Sequence, residues 1–109
     1  MYDPRMRADL LRGHVDALLL AVLAEVPGHG YELNQRLGTR SGGELTVNEG
    51  SLYPALQRLE RGGLVESEWH ARDGRKRRVY RLTRAGRRAV SASREEWRTF
   101  SNAVQKVLG

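Results

Sequence analysis

The sequence predicts a mainly α domain with one small β-hairpin. Apolar residues recur at helical spacing in four separate stretches. Two short alternating stretches flank an Asp73-Gly74 pair, a turn signal between strands. Glycine clusters punctuate the chain between these stretches. At 109 residues the chain fits a single domain. Its hydrophobic fraction of 39% supports one modest core, which a partner subunit would help to complete.

Residues 1–9 are polar, include Pro4 and read as a lead-in. Residues 10–26 carry Leu10, Leu11, Val15, Leu18, Leu19, Ala21, Val22 and Val26. With apolar residues on nearly all sides, this is a central, largely buried helix whose effective start is near Gly13. Pro27-Gly28-His29-Gly30 reads as a stop. Residues 31–39 predict a short second helix ending near Gly38, and 38–47 a connection with two or three extended residues. Asn48 is suited to cap a third helix over 49–61, whose stripe is Leu52, Ala55, Leu56 and Leu59. Pro54 falls about one turn in, near the start, where the missing amide has little or no helical partner. Gly62-Gly63 ends that helix. Alternation over 64–69 and 78–82 predicts two strands joined by a basic tip. Thr83 then caps a fourth helix reaching about residue 108.

Several function classes are excluded or disfavoured. There is no cysteine, hence no disulfide, thiol catalysis or cysteine zinc site, which suits a cytoplasmic protein. The longest apolar run, 17–24, is far short of the roughly 20 residues a membrane span requires. The N-terminus lacks the layout of a signal peptide. His14, His29 and His70 show no ligand spacing, so no metal is expected. No nucleophile elbow, phosphate-cradling loop or H-E-x-x-H motif is present, so neither an enzyme nor a cofactor is expected.

Charge points elsewhere. Residues 72–88 hold nine basic residues and one acid, a local +8 in a chain of net +6, which leaves −2 for the remainder. Such a patch fits an anionic partner such as nucleic acid. Three helices followed by a hairpin make a winged helix-turn-helix, here over 10–83, with a C-terminal helix over 84–109. Its third helix would enter the major groove of DNA, presenting Ser51, Tyr53, Gln57, Arg58 and Arg61. Arg75, Lys76 and Arg77 at the hairpin tip are suited to phosphate, while Arg78 and Arg81 are placed to pair with Glu66 or Glu68 across the strands. Arg84, Arg87 and Arg88 open the last helix, where the helix dipole disfavours positive charge, so DNA phosphate or solvent must offset them. Val90, Trp97, Phe100, Val104 and Val107 follow at spacings of 7, 3, 4 and 3, a heptad-like seam that Leu108 extends. It reads as a dimer interface; the alternative is packing against the chain's own first helix. A winged-helix interaction adaptor without sequence-specific DNA binding is the competing function, and it predicts partner binding that salt barely changes.

Four runs carry a resemblance. Gly30-Tyr31-Glu32-Leu33, the stretch from Glu49-Gly50-Ser51-Leu52-Tyr53-Pro54 through Glu60, Gly62-Gly63-Leu64-Val65, and the stretch from Arg77 through Tyr80-Arg81-Leu82-Thr83 to Gly86 are similar to the PadR family of bacterial transcriptional regulators. The likeness covers roughly residues 14–90, and the short remainder resembles the small subgroup with a single C-terminal helix. It implies a homodimeric repressor acting on double-stranded DNA with a pseudo-palindromic operator. The candidate DNA contacts are Tyr31, Asn48, Ser51, Tyr53, Pro54, Gln57, Arg58, Arg75, Lys76, Arg77 and Arg78. Some small members bind a flat aromatic effector between paired tryptophans at the dimer centre, and Trp97 stands at the matching position. Leu10, Asp16, Ala17, Ser93 and Ser101 complete that candidate ligand set; Ser93 and Arg94 stand where some drug-binding members carry more apolar residues.

Overall fold

A computed structural model describes residues 11 and 13–109 of the chain. Leu10, from the candidate ligand set, lies outside them. In order, the elements are α1 (Val15–Leu23), β1 (Gly28–His29), α2 (Gly30–Arg40), α3 (Glu49–Arg61), β2 (Val65–Arg72), β3 (Arg75–Leu82) and α4 (Arg84–Leu108). The three strands form one antiparallel sheet in the order β1-β3-β2. This is the winged-helix arrangement that the sequence predicts.

The core lies where α1 meets the other helices. Leu19, Leu20 and Leu23 of α1 pack with Leu33 and Leu37 of α2 and with Leu52, Leu56 and Leu59 of α3. Val65, Tyr80 and Leu82 close the core from the base of the hairpin. No polar or charged residue is buried among the described residues. The stability of the domain therefore rests mainly on aliphatic burial.

α1 is shorter than the apolar run. It ends at Leu23, and Val26 is 47% exposed. The residue before a proline is pushed out of helical geometry, and Val26 precedes Pro27. The segment read as a stop is also a strand. Gly28 pairs with Tyr80 and His29 with Val79, so the sheet gains a third strand. Arg36 supports that strand by donating to the Val26 carbonyl at 2.9 Å and to the Pro27 carbonyl at 3.2 Å.

α3 occupies the predicted residues. Asn48 Oδ1 accepts from Ser51 N–H at 2.9 Å at its start. At its end Gly63 (φ 75°) donates to the Glu60 carbonyl and Leu64 to the Leu59 carbonyl, a Schellman motif. Leu64 is thereby spent on the helix end, and β2 begins one residue later than predicted. Pro54 is the sixth residue of α3, deeper than first-turn placement implies, so the Gly50 carbonyl lacks its usual amide partner. The strands reach further toward the tip than the apolar alternation, to Arg72 and back from Arg75. Asp73 (φ 51°) and Gly74 (φ 75°) both take positive φ, as a two-residue turn of the hairpin-favoured hand requires.

The connection before α3 forms no strand, and a side chain fastens it instead. Asn34 Nδ2 donates to the Val47 carbonyl at 2.6 Å, and its Oδ1 accepts from Val47 N–H at 3.0 Å. Val47 is buried, and the next residue is the α3 cap. Asn34→Ala leaves both Val47 backbone groups unpaired. It is expected to lower stability by about 2 kcal/mol in urea unfolding; a change below about 0.5 kcal/mol would mean that water replaces the bracket.

Candidate nucleic-acid interface

The buried stripe of α3 fixes which side chains face out. With Leu52, Ala55, Leu56 and Leu59 inward, Ser51, Tyr53, Pro54, Gln57, Arg58 and Arg61 lie on the exposed faces. Tyr53 leans on the first turn of α2. A Cβ on Gly30 would stand 2.8 Å from the Tyr53 ring, so only glycine admits the ring in this position. The neighbouring Tyr31 is exposed, with its ring stacked near His29 and its hydroxyl accepting from Gln35 at 3.2 Å.

His29 links this corner to the hairpin. Its ring accepts from Glu32 N–H while the Glu32 carboxylate accepts from His29 N–H, a reciprocal cap on α2. Its Nε2 lies 2.7 Å from Nη1 of Arg77. An open groove of about 880 Å³ results, walled by Tyr53 and Gln57 on one side and by Trp69, Lys76 and Arg77 on the other.

The groove gathers Tyr31, Tyr53, Gln57, Lys76, Arg77 and Arg78 from the predicted contact set. Ser51 and Pro54 are exposed on α3 but do not line it. Arg75 is exposed beside the turn, outside the groove lining. Asn48 uses its side-chain oxygen as the α3 cap. Arg58 points back to α1, with its guanidinium 2.9 Å from the Asp16 carboxylate. Arg58 belongs to the candidate DNA contacts and Asp16 to the candidate ligand set, and the ion pair joins them across 42 positions of chain. Both are partly exposed, so the pair adds little stability.

The cross-hairpin pairing holds for Arg81 but differs for Arg78. Arg81 Nε lies 2.8 Å from Glu66, and a second nitrogen 3.7 Å from Glu68. The Glu66 hydrogen bond is the first cause holding the Arg81 guanidinium above its ordinary pKa. Glu68 is held below the usual carboxylate range, first by its hydrogen bond to His70 and then by Arg81. Arg78 lies on the opposite face. Its Nε donates to Ser67 Oγ at 2.7 Å, and its Nη2 lies 3.7 Å from Glu60 of α3. Burial pushes the neighbouring Tyr80 phenol upward, with the Arg78 charge opposing, so the phenol stays neutral at ordinary pH. His29, Glu60, Trp69 and Tyr80 were not identified from sequence as lining this groove. Trp69, last in its alternating run and just before the basic tip, was the available signal.

A second concavity of about 700 Å³ lies between α1 and α4. Ala17, Ser93, Trp97 and Phe100 line it. Trp97 is 54% exposed, with its ring 5.4 Å edge-on from His14 and 5.9 Å from Phe100. Asp16 and Ser101 of the candidate ligand set do not line it: Asp16 turns to Arg58, and Ser101 Oγ donates to the Arg98 carbonyl. Val90 also departs from the expected seam. It is 3% exposed and belongs to the chain's own core, because the first turns of α4 pack on α1. Phe100, Val107 and Leu108 are exposed, and Val104 is half-buried.

Among the described residues no group of three His, Asp or Glu side chains is placed to hold a metal ion. No helix among them is long and apolar enough to cross a membrane.

The profile of the transcriptional regulator PadR-like family matches residues 19–92. Transcriptional regulator Rv3488 of Mycobacterium tuberculosis is 47% identical over 81 residues, spanning 74% of this chain and 70% of that protein. A solved transcriptional regulator from Clostridium thermocellum superposes with a TM-score of 0.85 at 29% identity, covering 93% of this chain and 99% of the other. A PadR family regulator from Eggerthella lenta gives a TM-score of 0.83 at 33% identity, over 95% and 89%.

Proposed function

The chain belongs to the PadR-like family of transcriptional regulators, and from that membership we propose that it is a homodimeric repressor which reads a pseudo-palindromic operator and is released by a flat aromatic effector. The observation that carries the DNA-binding part is the groove between α3 and the hairpin, with Tyr53 and Gln57 on one wall and Lys76 and Arg77 on the other. α3 enters the major groove, where Gln57 pairs with an adenine edge and Ser51 and Tyr53 contact neighbouring positions. Lys76 and Arg77, with Arg75 beyond them, hold phosphate, and Tyr31 supports the same strand. Phosphate contacts set position and affinity, while base contacts set sequence.

The exposed apolar row of α4 supports the dimer. Trp97, Phe100, Val107 and Leu108 leave large apolar surfaces in water on a single 25-residue helix. A partner copy would cover them and set the two α3 helices about 34–36 Å apart, one turn of DNA. The concavity beside Trp97 opens near this row, with Ala17 and Ser93 in its wall. An effector held there releases DNA only if it binds the non-fitting spacing more tightly than the fitting one. Titration of planar aromatic compounds against Trp97 fluorescence and DNA affinity tests this step, and no compound moving either signal would remove it.

The division of labour at the DNA face is separable by mutation. Gln57→Ala is expected to relax preference at one position per half-site, with a loss of about 1–3 kcal/mol in discrimination. Arg77→Ala is expected to weaken binding to every sequence and lower the salt slope by about one per protomer. Binding to operator variants across a salt series measures both. If the two variants behave alike, these roles are wrongly assigned.

A further inference from the structure

The hairpin face that forms core at its base continues past the core. The β2–β3 register places Val65 opposite Leu82, Ser67 opposite Tyr80, Trp69 opposite Arg78 and Ala71 opposite Lys76 on one face, since side chains alternate along a strand. Val65, Tyr80 and Leu82 are buried. One step outward, the same row carries Trp69, 62% exposed and facing the groove. One step further comes Lys76.

The exposed indole is held in place. The Arg78 guanidinium carbon lies 5.3 Å from the centre of the Trp69 ring, a cation–π contact. Arg78 Nε donates to Ser67 Oγ at 2.7 Å, and Ser67 Oγ donates to the Glu60 carboxylate at 2.8 Å. Glu60 lies in the last turn of α3. A continuous polar chain thus runs from the helix that faces DNA to the ring on the hairpin. Glu60 also offsets the Arg78 charge, which makes Arg78 a poor phosphate ligand: binding DNA there would trade one anionic partner for another. Among the described residues, Lys76 and Arg77 have no carboxylate partner.

We propose that Trp69 is a DNA-contact residue, its indole laid against the sugar–phosphate strand that passes through the groove, and that Arg78 positions it. The inference rests on the DNA-binding reading and refines it. The indole supplies a flat apolar face and one N–H donor, which suit deoxyribose and phosphate side by side. Arg78 acts through its planar fork and its stacking rather than through net charge, and lysine cannot reproduce either.

The test uses the full chain and sheared mixed-sequence duplex DNA at low salt, where binding is electrostatic and needs no known operator. The chain has two tryptophans, so the difference in acrylamide quenching between the unaltered protein and Trp69→Phe isolates Trp69. DNA is expected to shield that component several-fold. Trp69→Ala is expected to bind about tenfold more weakly with an unchanged salt slope. Arg78→Lys keeps the charge, yet is expected to lose as much affinity as Arg78→Ala and to lose the shielding of Trp69. Should Trp69→Ala loosen the hairpin, quenching in the unaltered protein still decides. DNA binding that leaves Trp69 fully quenchable overturns the inference alone. So does an Arg78→Lys variant that binds normally while Arg78→Ala lowers the salt slope by about one. No DNA binding by the unaltered protein overturns the underlying reading as well.

Discussion

Gly86→Ala is expected to destabilise the domain by about 3 kcal/mol or more, because the added methyl meets backbone that has nowhere to go. A Cβ at Gly86 would lie on the Leu64 carbonyl oxygen and crowd the Leu82 side chain. The same carbonyl accepts from Thr83 N–H at 3.1 Å. Thr83 Oγ1 donates to the Gly63 carbonyl at 2.6 Å and accepts from Gly86 N–H at 3.0 Å. The end of α3, the base of the hairpin and the start of α4 therefore meet at one joint, which holds the hairpin against α3. Relief would have to move the Schellman turn or the α4 cap. Urea unfolding of Gly86→Ala measures the loss, and a variant within about 0.5 kcal/mol of the parent would show that the joint yields freely.

The largest effect on DNA affinity is expected from replacing Arg75, Lys76 and Arg77 together with alanine. All three are exposed at the hairpin tip, so folding should change little. Each phosphate contact releases about one counterion, so the slope of log affinity against log salt should fall by about three per protomer. Affinity near physiological salt should fall a hundredfold or more, on the order of 3 kcal/mol. An unchanged slope would mean that these cations face water in the complex, and it would move the electrostatic contact to the start of α4 at Arg84, Arg87 and Arg88.

Local signals were the legible ones. The bounds of α3 follow from a cap at Asn48, a four-residue apolar stripe and a glycine pair, all between Asn48 and Gly63. The hairpin turn follows from Asp73-Gly74, and the α4 start from Thr83. Pairings between distant residues were not legible. β1 is two residues long, too short for alternation to register, and it exists because Tyr80 and Val79 arrive beside it about fifty residues later. Arg58 looked free on an exposed helix face until α1 brought Asp16 to it. Val90 fits a heptad-like seam equally well whether it faces its own α1 or a partner, and only the fold places it in the core. The groove itself combines both kinds of signal. Gln57 and the basic tip are visible in the sequence, whereas the Glu60–Ser67–Arg78–Trp69 chain depends on strand register and on how the hairpin leans against α3.

Selection of genomic fragments by the purified protein at about 0.15 M salt tests the central claim most directly, because physiological screening suppresses long-range, non-specific attraction. A homodimeric operator reader predicts one or a few enriched sites, each with two inverted half-sites about one helical turn apart. Uniform, salt-sensitive retention of all fragments, or no retention at all, would contradict it.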